Sequence, residues 1–189
     1  MKRSIKRGRL LVGAVVSACA LMAVSASAAS AANAWWVSPG TPSASGTLTL
    51  KQNGANEKTC SVSNAGGTAA NVESGGTKAG VLNLKNSPAE WLELSCAGSF
   101  NLVIRAGGSL TYESGYWLSV PASSNTLGSP YGSYSQAAMK LPWTNAAEGK
   151  SSSFSFSNTK IGFNGGGDIT ATGTITVKKN NGENLLLTH

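Results

Sequence analysis

The segment Ile169-Thr-Ala-Thr-Gly-Thr-Ile-Thr-Val177 alternates without a break. Four threonines take one set of positions; Ile169, Ala171, Ile175 and Val177 take the other. A period of two puts one wet and one dry face on a β-strand, whereas a helix would scatter the same residues around its axis. Gly173 interrupts the apolar row and predicts a bulge or bend.

The same period returns along the chain, in Thr47–Lys51, Thr59–Ser63, Val81–Leu84, Trp91–Cys96, Phe100–Arg105, Ser109–Tyr112, Tyr116–Val120 and Ser151–Ser157. Lys160–Phe163 reads as a separate strand and Asn71–Glu73 as a weak one. Ala137–Leu141 fits a strand or a single helical turn, and Pro121–Gln136 reads as a long polar loop. Asn53-Gly54 and Asn181-Gly182 are turn signals, the second suited to a type I′ turn with Leu185–Leu187 returning beside the Thr-rich strand. No convincing 3.6-residue apolar period follows residue 34. The expectation is an all-β, antiparallel sandwich or partly closed barrel of about ten short strands. The immunoglobulin pattern fits poorly: Trp91 stands just before the second cysteine, and Leu94 takes the place of the corner tyrosine.

The first 34 residues have a different character. Lys2, Arg3, Lys6, Arg7 and Arg9 are followed by an apolar run, Leu10–Val24, and then by small residues, Ser25–Ala34. That order of charge, apolar run and small residues is a cleaved secretory signal peptide, too short for a comfortable bilayer crossing. Ala26-Ser27-Ala28, Ala29-Ser30-Ala31 and Ala32-Asn33-Ala34 each suit a signal peptidase, and a start near Trp35 is favoured. Val16-Ser17-Ala18-Cys19 resembles a bacterial lipobox, which would lipidate Cys19 and tether the chain to the cell surface. Val stands where Leu is usual there, and the apolar run continues past Cys19, so secretion is preferred. The expected organisation is signal peptide 1–34, an N-terminal segment or linker 35–46, and one domain 47–189, with no membrane span after cleavage.

Removing the signal changes the charge argument. The whole chain has 15 basic and 8 acidic residues, and five of the basic ones belong to the signal. Ten against eight remain, a net +2, and the ten are scattered. Nucleic acid is therefore not an expected partner.

Cys60 and Cys96 survive cleavage, and an even count in an exported chain predicts a disulfide. His189 is the sole histidine and the last residue, so Ser-His and Cys-His nucleophiles and a zinc site are poorly supported. No cofactor is expected. A glycosidase needs only two carboxylates, and eight acids keep that alternative open; Glu90 and Glu93 would point to opposite faces of a strand. The expected role is a non-enzymatic binding or cell-surface structural protein of bacterial origin.

A more specific alternative is a carbohydrate-binding module. Sugar rings stack on flat aromatic side chains, so Tyr131, Tyr134, Trp143, Tyr116 and Trp117 are the candidate ligand residues. The loop tyrosines rank above the strand tryptophans, because loops carry function and strands carry packing.

Overall fold

The computed structural model describes residues 31–85, 91–98, 100–105, 108–148 and 150–189. Cys19, residues 1–30, Glu90 and the Asn86-Ser87-Pro88 break lie outside the described residues. The described chain is all-β: β1 (Ala32–Asn33), β2 (Trp35–Trp36), β3 (Pro42–Gln52), β4 (Ala55–Ala65), β5 (Thr68–Ser74), β6 (Thr77–Asn83), β7 (Leu92–Cys96) and β8 (Phe100–Ile104). The second half supplies β9 (Gly108–Tyr112), β10 (Tyr116–Val120), β11 (Ser123–Leu127), β12 (Tyr134–Gln136), β13 (Met139–Thr144), β14 (Ser152–Asn164), β15 (Gly167–Lys179) and β16 (Leu187–Thr188).

One antiparallel sheet runs in the order β5-β6-β9-β10-β13-β14-β15-β3-β4-β7-β8 and curls into a half-barrel. Its spine is the run of long strands β14, β15, β3 and β4. The Asn53-Gly54 turn joins β3 to β4, with both residues at positive φ (49° and 72°). Inside the curl, Leu48, Leu50, Cys60, Val62, Phe154, Ile169, Ala171, Ile175 and Val177 are buried. They meet Leu82, Leu84, Trp91, Leu94, Leu102, Ile104, Leu110, Leu118 and Leu141 from the flanking strands in one apolar cluster. Trp91 spans the interior, donating its indole N–H to Leu82 O (3.0 Å) and packing on Phe154 at 5.6 Å between ring centroids.

Two glycines in the apolar rows let β3 and β15 approach closely. Gly46 (φ 154°) and Gly173 (φ 144°) lie diagonally across the Thr47–Thr174 pair. A Cβ on Gly46 would come within 2.4 Å of Thr174 O, and one on Gly173 within 2.3 Å of Thr47 O. Opposite Gly173 the β14–β15 register slips between Phe156 and Thr159. The outer side carries an uncharged row in continuous register, Ser155, Thr174, Thr47, Ser61, Ser95 and Asn101.

Beyond the spine, β8 returns against the β11–β12 hairpin. Val103 N–H donates to Gly128 O (3.2 Å), and Arg105 N–H to the side-chain oxygen of Gln136 (2.8 Å). β4 and β7 meet at two registered pairs, Cys60 with Cys96 and Ser61 with Ser95, and the disulfide Cys60–Cys96 closes that joint.

Several boundaries differ from the sequence expectation. The first long strand starts at Pro42, so residues 42–46 belong to the sheet. Ser151–Ser157 and Lys160–Phe163 merge into β14, because two register shifts let one strand absorb the break. The Pro121–Gln136 stretch is not wholly loop: β11 and β12 pair within it. Asn181 lacks the positive φ that a type I′ turn needs, and the chain after it returns beside β15 only as far as the Lys178–Asn184 bridge. Leu187–Thr188 instead pairs with Trp35–Trp36, where Asn145 holds Leu187 by both its backbone N–H and its C=O (2.8 Å each).

Candidate functional site

The five aromatic candidates do not share a face. Trp143 is 4 % exposed and meets Trp36 edge-on at 5.2 Å, its indole N–H donating to Asn145 Oδ1 (3.1 Å). Tyr116 stands opposite Trp143 in register and packs edge-on to Tyr112 at 5.1 Å. His189 stacks on Tyr112 at 3.5 Å and shares a hydrogen bond with the Tyr116 hydroxyl (3.3 Å). Tyr112 and Tyr116 are partly buried and pack against the core.

The loop tyrosines, ranked first from the sequence, are used internally. Tyr134 is 2 % exposed, and its hydroxyl donates to Val103 O (2.6 Å), tying β12 to β8. Its ring packs on Gly162, where a Cβ would lie 2.4 Å from it. Tyr131 donates to Leu50 O (2.9 Å) and to Asn56 O, fastening its loop over the β3–β4 turn. The ranking of loop over strand residues is therefore reversed: an amphipathic ring whose hydroxyl finds a buried carbonyl becomes a fastener.

That fastening has a pH signature. Burial pushes the Tyr134 hydroxyl well above the ordinary tyrosine value of about 10. Tyr116 is raised by burial and by Tyr112, and Tyr131 by burial and by the charge of Glu57. An acid whose folded pKa is raised holds its proton more tightly when folded. Stability is then complete below about pH 10 and falls above it, for Tyr134 by up to about 1.4 kcal/mol per pH unit. Tyr134→Phe is expected to cost about 1 kcal/mol at neutral pH and to flatten the alkaline limb. Urea midpoints taken from about pH 8 to 11 check this; an unchanged slope would place the titration in another group.

Trp117 differs from the other four. Strand alternation turns it outward while Leu118 and Val120 point in and are buried. It is partly exposed, and its indole N–H donates to Glu113 O (3.3 Å). Thr111 and Pro142 flank it on the neighbouring strands. Lys140 Nζ lies 5.0 Å from the ring centroid and is ion-paired with Glu113. Lys140 also lines an open hollow of about 460 Å³ together with Ser109, Ser119, Pro121 and Ala138. The arrangement presents one aromatic face, a cation, a carboxylate and two hydroxyls to solvent.

A second exposed ring escaped the sequence reading. Phe163 is 51 % exposed, with Lys160 Nζ 5.6 Å from its centroid and a hollow beside it lined by Ser133, Ser135 and Asn164. Simple alternation puts Phe163 on the same side as the buried Ile161. The register shift between Lys160 and Gly162 breaks that parity and sends Phe163 outward, opposite Asp168. Sequence spacing holds no signal for such a shift beyond Asn158, which adopts positive φ (49°) just before it.

Four carboxylates besides Glu113 engage lysines. Glu57 pairs with Lys51 (3.3 Å), Glu93 with Lys85, Asp168 with Lys160 (2.7 Å) and Glu183 with Lys179 (2.8 Å). Among the described residues, no group of three or more His, Cys, Asp and Glu gathers to hold a metal. No helix among them is long and apolar enough to cross a membrane. No family model, curated protein or solved structure matches the chain.

Proposed function

We propose that this is an exported bacterial binding domain without catalytic activity, and that its ligand is a glycan held at Trp117. The observation that carries the reading is the outward Trp117, with Lys140 near its ring and ion-paired to Glu113, next to the hollow that Lys140 lines with Ser109 and Ser119. A pyranose ring would lay its C–H face on the indole and share its hydroxyls with the ammonium, carboxylate and serines. Binding sites combine an apolar platform with a few placed polar groups in this way. The hydroxyl-rich, uncharged outer row of the sheet suits a neutral polysaccharide better than a charged one. The absence of catalysis is supported by the carboxylates, four of which lie at lysine ion pairs on the surface in addition to Glu113. Secretion is supported by the leading basic and apolar segments and by the Cys60–Cys96 bridge.

Pull-down of the exported domain on a panel of bacterial and plant polysaccharides tests the reading. Trp117→Ala is expected to weaken binding by about five- to twelvefold, since a stacked aromatic contact is worth about 1 to 1.5 kcal/mol. Phe163→Ala is expected to leave binding within about twofold. Loss in the Phe163 variant alone would move the site to that ring, and retention by no polysaccharide would overturn the glycan reading.

A further inference from the structure

Three Ala-x-Ala runs end the signal region, and the last of them, Ala32-Asn33-Ala34, lies inside the sheet. Ala32 and Asn33 form β1, paired with Tyr112 and Thr111 of β9. Ala34 is 0 % exposed. Its N–H donates to Leu110 O (3.2 Å), and its C=O accepts from Gly80 N–H (2.7 Å). The approach at Gly80 is close: a Cβ there would stand 3.1 Å from Ala34 O and 3.1 Å from Trp35 Cα. Immediately downstream, Asn71 clamps Trp36 by its N–H (2.8 Å) and its C=O (3.0 Å). The backbone from Ala32 to Trp36 is thus hydrogen-bonded to β9, β6, β5 and β16.

Cutting after Ala34 would remove β1, strip a bonding partner from Leu110 O and from Gly80 N–H, and put a charged ammonium next to the buried Trp36. Buried backbone groups left without partners are costly, and a charge beside an apolar side chain more so. Cutting after Ala28 or Ala31 satisfies the same small-residue requirement and leaves all of these contacts in place. Signal peptidase works on an extended chain, so sequence preference alone does not separate the three runs. The fold does, because one of the three products lacks part of its sheet.

We infer that the precursor is cut at the Ala28–Ala29 or the Ala31–Ala32 bond, and that the mature chain keeps Ala32-Asn33-Ala34 as its first strand. This moves the mature start upstream of Trp35, and it rests on the secretory reading above. Once the upstream cut is made, the Ala34–Trp35 bond is buried in the sheet with the Ala34 N–H and C=O already paired, and so is closed to a protease that must bind a free segment of backbone.

N-terminal sequencing and intact-mass measurement of the exported protein decide the matter. The expected start is Ala29 or Ala32. A start at Trp35 overturns the inference while leaving secretion standing. An uncut precursor, or a diacylglyceryl adduct beginning at Cys19, overturns the secretory reading and the inference with it. A second measurement is independent of the export pathway. Domains produced with Ala29 and with Trp35 as first residue are compared by thermal unfolding. The shorter one is expected to melt lower by about 5 °C or more; equal melting temperatures would show that β1 contributes nothing and would remove the argument.

Discussion

Replacing Gly173 with alanine is expected to destabilise the domain by about 4 kcal/mol, a fall in melting temperature of roughly 8 to 16 °C for a chain of this size. Two terms add. The residue sits at φ 144°, a backbone region that side chains with a Cβ rarely adopt, and holding alanine there costs about 1 to 3 kcal/mol. The new methyl would also lie 2.3 Å from Thr47 O and 2.9 Å from Leu48 Cδ2. Neither neighbour is free to yield, since Thr47 is in ladder register with Thr174 and Leu48 is fully buried. Overpacking of that kind costs about 1 to 3 kcal/mol more. Gly182→Ala is the control. Its φ is also positive (86°), but nothing lies within 4 Å of the added carbon, so about 1 kcal/mol is expected there. Urea unfolding of both variants separates crowding from backbone strain. Similar losses in the two would mean that the close approach of β3 and β15 is not what needs a glycine at 173.

Gly173 also marks how far the sequence could be read. A glycine in an apolar row, where any larger residue would serve the core better, marks the close approach of β3 and β15. Local features of this sort came through: the antiparallel class, the curl, the Asn53-Gly54 turn and the Cys60–Cys96 bridge. What did not come through is pairing between distant segments. Leu187 follows a turn signal and should return along β15, yet it joins Trp36, about 150 positions earlier. The competition is settled by Asn145, which captures the Leu187 backbone, and no spacing in the chain announces that contact.

The same limit governs the candidate site. Tyr131 and Tyr134 stand among serines, glycines and a proline, and composition alone makes them surface residues. Their hydroxyls are spent on Leu50, Asn56 and Val103, carbonyls contributed by strands far away in sequence. Trp117, by contrast, is placed by local pattern alone. Its outward orientation follows from alternation with Leu118 and Val120, and the buried neighbours are what make its exposure informative. Phe163 was not legible, because a bulge reverses parity without leaving a mark in the pattern of residue types.

Loss of the disulfide is expected to be nearly as damaging as the change at Gly173. The double variant Cys60→Ala/Cys96→Ala should lose about 3 to 4 kcal/mol, because the bridge closes a span of 36 residues and removes that much chain entropy from the unfolded state. Its position concentrates the effect. β3 and β4 pair along most of their length, whereas β4 and β7 share two registered pairs, one of them the cysteines themselves. The bridge thus closes one of the short joints of the sheet, where few backbone hydrogen bonds cross. Through it, the β7–β8 hairpin and its buried Leu92, Leu94, Leu102 and Ile104 are held to the spine. The measurement is urea unfolding of the oxidised wild type and the variant side by side. The midpoint should fall, and the slope with denaturant should steepen, because an unfolded chain freed of its cross-link exposes more surface. A lower midpoint with an unchanged slope would mean that the bridge acts through native packing at the β4–β7 joint and not through the unfolded chain. A loss below about 1 kcal/mol would show that the core contacts of β7 and β8 hold the joint without it.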